Sequence, residues 1–474
     1  MLYKLTYPAT KYDKNNIDKT LLLNLIRKHY SRVAPQMRKN RRYYDGKHDI
    51  IRRRKTDPHA PNNKTICNHA KDIADTATGY FMSSALTFRC SDESMDIDAL
   101  TDAFDRANID EVDHDNALDI SRIGCAFEYV YAKEGTNELT SKNLSPLSTF
   151  IVYDDSIEEN ELFAVYYDKV KDDSNNKYSY VAYVLTESDV IRYVLFGDER
   201  DKIEPKKPHF MDEIPIIMYQ NNKDCIGDYE QQISLIDAYN TLMSDRVNDK
   251  EQFLNSLLVL YGARLADDTV DEEGISEVSK ALKVLKDNGF LELPEGARAE
   301  YIARTLDEGS VEVLRKAIKE DIYTFSHVPN MSDEKFAGNT SGVAMGYKLL
   351  ALEGITSTKE RYYTKGLKKR IRLYCNYLNL LNISANPSAI IPTFKRNLPK
   401  NILELSQIIS NLKGFVSRNT LIQQLPFVED PEGELKIVDE ENRKSIENQQ
   451  KMFGSFDNTP PLTEEKDEEQ SENE

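Results

Sequence analysis

The chain has 474 residues, with 62 lysines and arginines against 80 aspartates and glutamates, a formal net charge of −18, and 40% hydrophobic residues. That is the balance of a soluble chain with generous polar surface and two to four sub-structures, and it argues against a disordered or membrane protein. The acidic excess also argues against tight DNA wrapping by the whole chain, since a duplex carries one charge per about 1.7 Å, while a weak or transient contact remains allowed.

No stretch approaches the roughly 18 apolar residues of a spanning helix. The opening MLYKLTYPATKYDKNN lacks an apolar core and a small-residue cleavage site, so a cytosolic chain with no membrane partner is expected. Asp18 is the expected cap of a helix with Leu21, Leu22, Leu25, Ile26 and Tyr30 on one face, which Pro35 interrupts or kinks. The basic run RKNRRYYDGKHDIIRRRK, Arg38 to Lys55, is favoured as a solvated helix end and loop, with nucleic-acid contact as the alternative. Helices are predicted over about 66–82 and twice across 95–123, ending before Gly124.

From Gly124 the pattern becomes β-branched and aromatic runs between turn residues: CAFEYVYA, TFIVYDD, LFAVYYDKV, KYSYVAYVL, DVIRYVLFG and IPIIMYQ predict an antiparallel meander. Residues 228–262 hold no proline or internal glycine and predict one helix of roughly 50 Å. Its seam of Tyr229, Ile233, Ile236, Asn240, Met243, Val247, Lys250, Leu254 and Leu257 fits a neighbour in another chain or in this one. A small mixed unit, 263–305, follows, with strands in GFLELPEG and AEYIAR, and then a helix ending at Val328 before Pro329. PNMSDEKFAGNTSG is a predicted loop, and a helix over 341–381 is expected to kink at Gly354. PPLTEEKDEEQSENE at the end is an expected disordered acidic tail.

Catalytic chemistry has no foothold in this sequence. No phosphate loop of the G-x-x-x-x-G-K-[ST] type occurs, and GNTSGVAMG is favoured as a flexible loop with Ser341 as helix cap. Cys67, Cys90, Cys125, Cys225 and Cys375 are odd in number and scattered, so reduced thiols are expected and no zinc site. The seven histidines are scattered too. Asp154 and Asp155 open an acidic stretch that is favoured as an exposed loop over a cation site. No catalytic residue, cofactor or metal ligand is assigned, and the chain is not expected to be an enzyme. A metal-dependent nucleic-acid enzyme, and a minor capsid or scaffold protein without a channel, are the alternatives.

Four stretches carry a resemblance: RRYYDGKHDIIRRRK with NNKTICNHAKDIADTATGYFMSSALTF; IPIIMYQNNKDCIGDYEQQISLIDAYN; FSHVPNMSDEKFAGNTSGVAMGYKLLALE; and AIIPTFKRNLPKNILELSQIISNLKGFVSRNTLIQQLPFVEDPEGELKIVDEEN. In order and spacing the chain resembles the portal proteins of long-tailed bacteriophages, the group typified by phage SPP1. The resemblance implies an α+β, mainly α fold and a ring, usually of twelve subunits, that forms a DNA channel at one capsid vertex for genome packaging and ejection. It also implies assembly in the host bacterial cytoplasm into the virion.

Mapped here, the wing is 1–226, stem helix one 227–262, the clip 263–305, stem helix two 306–328 and the tunnel loop 329–341. A kinked helix and return strand of the wing occupy 342–401, a helical crown 402–446 and the acidic tail 447–474. Asp333, Glu334, Lys335 and Asn339 are then expected nearest the double-stranded DNA, and Asp271, Glu272 and Glu273 on the clip's docking face. Implied partners are a terminase large subunit, a head-tail adaptor, and the major capsid and scaffolding proteins.

Overall fold

The computed structural model describes residues 4–14, 16–56, 60–91, 97–172, 177–254, 257–261, 280, 283, 295–302, 308–331, 342–396, 402–425, 428 and 431–454. None of the described helices is long and apolar enough to cross a membrane. Two compact units emerge, residues 1–338 with 347–397, and residues 339–346 with 398–474.

The first unit opens with β1 (Leu5–Thr6) and α1 (Lys19–Lys28). Asp18 caps α1, its carboxylate accepting from the Leu21 N–H at 3.0 Å, and Leu22, Leu23, Leu25 and Ile26 are buried. The chain does not break at Pro35. It passes through a π-helical turn, His29–Val33, into α2 (Ala34–Tyr44), so the expected irregularity at Pro35 takes the form of that wider turn, and the Tyr30 carbonyl accepts from Arg38 at 2.5 Å.

After α2 come α3 (His69–Phe81), β2 (Thr87–Cys90), α4 (Asp98–Arg106) and α5 (Ile109–Ile123). Helix α5 ends at Gly124, with φ 101°, and a Cβ there would stand 1.9 Å from the Cys225 carbonyl oxygen. Only glycine fits both the backbone and the space.

The predicted strands all form, but not as one meander. The six runs are β3 (Cys125–Ala132), β5 (Thr149–Tyr153), β6 (Glu161–Asp172), β7 (Lys177–Leu185), β8 (Asp189–Leu195) and β11 (Ile216–Gln220), and three strands that were not predicted join them: β4 (Leu139–Leu144), β9 (Lys202–Ile203) and β10 (Lys207–Pro208). Strands β5 to β8 build an antiparallel sheet of order β1-β5-β6-β7-β8-β10, to which β1 adds a parallel edge and β9 pairs with β8. The first and last of the predicted runs instead pair with each other in a separate sheet, β11-β3-β4. Its edge strand β4 reads LTSKNL, too polar to signal itself by composition.

Helix α6 (Ile233–Leu254) is shorter than the 228–262 expected. Leu257–Tyr261 is instead strand β12, antiparallel to β13 (Arg298–Ile302). The run LLVLY is apolar in every register, so periodicity cannot separate helix from strand there. Strand β13 overlaps the expected AEYIAR strand, whereas most of GFLELPEG lies outside the described residues.

Helix α7 (Glu308–Ser326) stops just before Val328 and Pro329, and α8 (Gly342–Leu380) is a single 39-residue helix. Strand β14 (Ile390–Thr393) then pairs with β2. One core packs Phe81, Phe104, Ile120, Tyr219, Tyr363, Leu367 and Tyr374, so α8 lies against α3, α4, α5 and β11. Gly366 lets α8 approach, because a Cβ there would come within 2.5 Å of the Tyr219 ring. A second core buries α1 under the larger sheet through Leu22, Ile26, Phe150, Phe163 and Tyr193.

The second unit holds α9 (Ile402–Leu412), α10 (Arg418–Ile422) and α11 (Pro431–Gly454). Ser417 caps α10, and Arg418 reaches Asp439 of α11 at 3.5 Å. Helix α11 continues past residue 446 to Gly454, and the rest of the expected tail lies outside the described residues. All five cysteines are free thiols.

Candidate functional site

Asp333, Glu334, Lys335 and Asn339, like Asp271, Glu272 and Glu273, lie outside the described residues. What the structure shows is how the elements that flank both segments are held. Helices α6 and α7, with β12 and β13, flank one, and α7 and α8 flank the other.

Helix α6 is fastened to its own chain by a polar ladder. The Asn248 carboxamide oxygen accepts from the Asn63 N–H at 2.7 Å, Ser244 Oγ from the Thr65 N–H at 2.9 Å, and the Asn240 carboxamide oxygen from the Cys67 N–H at 2.8 Å. Alternate residues of an extended strand stand about 6.6 Å apart, and every fourth residue of a helix about 6 Å apart. Segment 63–67 therefore lies antiparallel along α6 with each second N–H meeting a side chain, and Asn240, Ser244 and Asn248 are fully buried. Asn240 also donates to His48 Nδ1 at 2.7 Å. The polar seam position thus serves the same chain, and the four-residue repeat Asn240, Ser244, Asn248 was its overlooked sign.

Between α6 and α7 the contacts are mostly charged. Arg246 reaches Glu308 at 3.1 Å and Glu312 at 3.0 Å, Lys250 pairs with Glu308, and Arg315 binds Glu312 and the Tyr239 hydroxyl. Hydrogen bonds from Arg315 hold the Glu312 carboxyl down at about 2. His69 of α3 sits edge-on to Tyr239 and Tyr323, with Nδ1 3.2 Å from the Tyr323 hydroxyl, and burial pushes its imidazole down to about 4. Helix α7 buries only Ile322 and Ser326, while Val313, Leu314 and Phe325 are 69%, 51% and 59% exposed. Those three share a side of the helix with Ala317, Glu320, Asp321 and Thr324, all uncovered.

Helix α8 is held very differently. Arg370, with no exposed surface, meets Glu128 at 2.5 Å and Asp113 at 2.7 Å, and Tyr219 and Tyr363 donate to the same two carboxylates. Desolvation pushes the Asp113 carboxyl up, against the pull of the Arg370 guanidinium. Desolvation also disfavours the Arg370 cation, but Asp113 and Glu128 outweigh it and raise its pKa. One turn-set earlier, Lys359 pairs in the interior with Asp228, which Ser121 and Asn221 also bind. Lys369 pairs with Glu161 and donates to the Ile216 carbonyl, and Arg396 grips Glu353 and Glu360.

Gly354 falls on the exposed side of α8, with nothing within 4 Å of a Cβ added there, and the helix runs through it unbroken. Thr356 and Thr358 turn their hydroxyls onto the Leu352 and Gly354 carbonyls, a substitution of bonding that tends to bend helices. Further out, Tyr347 and Leu350 are exposed.

Asp154 is no free ligand. Its carboxylate accepts from the Ser156 N–H and hydroxyl and from the Asn160 N–H and side chain, closing the turn before β6. Asp155 accepts from the Ala9 N–H at 3.2 Å. Among the described residues no three metal-ligating side chains group together.

The described residues thus give two helices, α6 and α7, on either side of the β12–β13 pair, and a third, α8, locked into the first unit by buried ion pairs. A family model described as phage portal protein, SPP1 Gp6-like, matches residues 23–448, and the chain belongs to that family. It is 24% identical to the portal protein of Bacillus phage SPP1 over 461 residues, 91% of this chain and 88% of that one. It is also 24% identical to the portal protein of Clostridium phage phiCD119 over 250 residues, half of each chain. Among solved structures it is similar to a chain in the neck of a native GTA particle computed with C12 symmetry, at TM-score 0.46 and 12% identity, covering 76% of this chain and 89% of that one.

Proposed function

We propose that copies of this chain close into a ring, with twelve subunits as the expected number, around a channel for double-stranded DNA at one capsid vertex. The ring serves packaging and ejection and has no catalytic role of its own. It is assembled in the bacterial cytoplasm. In this reading 227–262 and 306–328, which hold α6 and α7, are the stem, 263–305 the clip, and 329–341 the tunnel loop with Asp333, Glu334, Lys335 and Asn339 toward the duplex. Asp271, Glu272 and Glu273 face a terminase large subunit or a head-tail adaptor, and the wing meets capsid and scaffolding proteins. Gly354 marks the bend in α8.

The carrying observation is α7. One side of it is spent on α6 and α3, and the other presents Val313, Leu314 and Phe325 to solvent. A closed ring needs a head-to-tail interface, which such an apolar face on a supported helix supplies. The test is negative-stain imaging of the full-length protein beside V313E/L314E. Rings with a central hole for the first and folded, ring-free protein for the second are expected. Equal ring yield from both, or no rings from the unaltered chain under any salt condition, would overturn the reading.

A further inference from the structure

The basic run that sequence alone leaves between two readings divides in the structure into a spent half and an unspent half. Arg38 donates to the Tyr30 carbonyl and lies 4.3 Å from its ring, Arg41 pairs with Asp45 at 3.3 Å, Arg42 with Asp49 at 2.7 Å, and Arg53 with Asp245 of α6 at 2.5 Å. The side chains of Lys47, Arg52, Arg54 and Lys55 have no hydrogen-bond, ion-pair or ring partner among the described residues, and the first three residues are exposed.

The backbone explains the division. A 3-10 turn, Asp49–Arg52, gives way to extended chain at Arg53, with φ −58° and ψ 131°. Arg53, the first residue after that turn, reaches in to Asp245, while Arg52 before it and Arg54 after it are exposed. The loop is also braced. Lys64 donates to the Ile51 carbonyl at 2.6 Å and the Asn62 amide to the Arg53 carbonyl at 3.3 Å. The outward cations are therefore presented on a supported edge beside α6.

We infer that Arg52, Arg54 and Lys55, with Lys47, form a contact site for the DNA phosphate backbone, outside the tunnel-loop segment. A strand presents one phosphate per about 3.4 Å of helix axis, so several cations gathered on one short loop can each meet one. Four cations per copy in a chain of net charge −18 give a weak contact without sequence preference, suited to DNA that must keep moving. The inference rests on the DNA-channel reading above for the polymer's presence, and its test is separable from that reading.

The test uses full-length assembled protein and a fluorescent 30-base-pair duplex, with anisotropy followed from about 50 to 200 mM salt. R52A/R54A/K55A is compared with K365A/K368A, which removes two exposed, unpartnered cations elsewhere. Both variants should melt with the parent and still form rings. The loop variant should bind at least tenfold more weakly at low salt, and its log–log salt slope should flatten by about 0.9 for each engaged cation lost. K365A/K368A should bind as the parent does. Unchanged binding in the loop variant, or an equal loss in K365A/K368A, overturns the site. So does a parent that binds a labelled peptide of residues 455–474 through this loop but not DNA, which would make the loop a dock for an acidic peptide. Failure of the parent to form rings would instead sink the channel reading.

Discussion

Helices α7 and α8 are both long and both charged, yet they are finished to different degrees within one chain. Helix α8 sinks Lys359, Lys369 and Arg370 into the body and pairs each with a carboxylate, though the Arg370 Nη1 is buried without a partner. Helix α7 keeps its ion pairs near the surface and leaves Val313, Leu314 and Phe325 bare on a side shared with Glu320 and Asp321. The difference lies in what the chain covers by itself: α8 is buried in its own subunit, and α7 keeps those three apolar side chains exposed.

The comparison breaks most sharply at Arg370. R370M leaves two carboxylates in the interior without their cation, and a loss of about 3–5 kcal/mol in denaturant unfolding is expected. A loss below about 1 kcal/mol would mean that α8 is not charge-locked. N240L tests the ladder on α6 by orphaning the Cys67 N–H and the His48 ring nitrogen, with an expected cost of about 1–3 kcal/mol and faster amide exchange over residues 63–67. Unchanged exchange there would remove the ladder from the description of the stem.

Acid sharpens the same contrast. Burial, helped by Arg38, lowers the His29 imidazole to about 4, where it contacts the Tyr167 hydroxyl at 2.9 Å beneath the larger sheet. Its folded pKa lies below its unfolded value of about 6.5, so the unfolded chain binds the proton first. The stability His29 contributes is complete above about 6.5 and declines as pH falls toward 4, by at most about 1.4 kcal/mol per unit. H29Q should flatten that slope in unfolding titrations, and an unaltered slope would assign the acid sensitivity elsewhere.

V313E/L314E should change subunit stability least, within about 0.5 kcal/mol, while abolishing rings. Shortening residues 332–340 should leave both stability and rings intact and impair DNA packaging or retention. Collapse of the ring in that variant would reject the tunnel-loop assignment.

Much of the fold is legible in the sequence where one local signal dominates. The cap at Asp18, the stop at Gly124 and the end of α7 before Pro329 each follow from a single residue's chemistry. Legibility fails where partners are distant. Strands β3 and β11 leave the expected meander because their pairing, Tyr129 with Ile216, spans more than eighty residues and is invisible to alternation. LLVLY becomes a strand because its partner RAEYI arrives about forty residues later.

The expected site residues rest on the family's order of parts and lie outside the described residues. Asn240 looked like a compromise at a subunit seam and is instead the top of an intramolecular ladder. Of the basic run, only tertiary partners could tell which cations were already spent.

Cryo-electron microscopy of the purified full-length protein is the most direct test. A closed ring is expected, with an axial hole wide enough for B-form DNA and Val313, Leu314 and Phe325 of each copy buried against the next. A particle without such a hole, or a ring in which those three side chains remain in solvent, would contradict it.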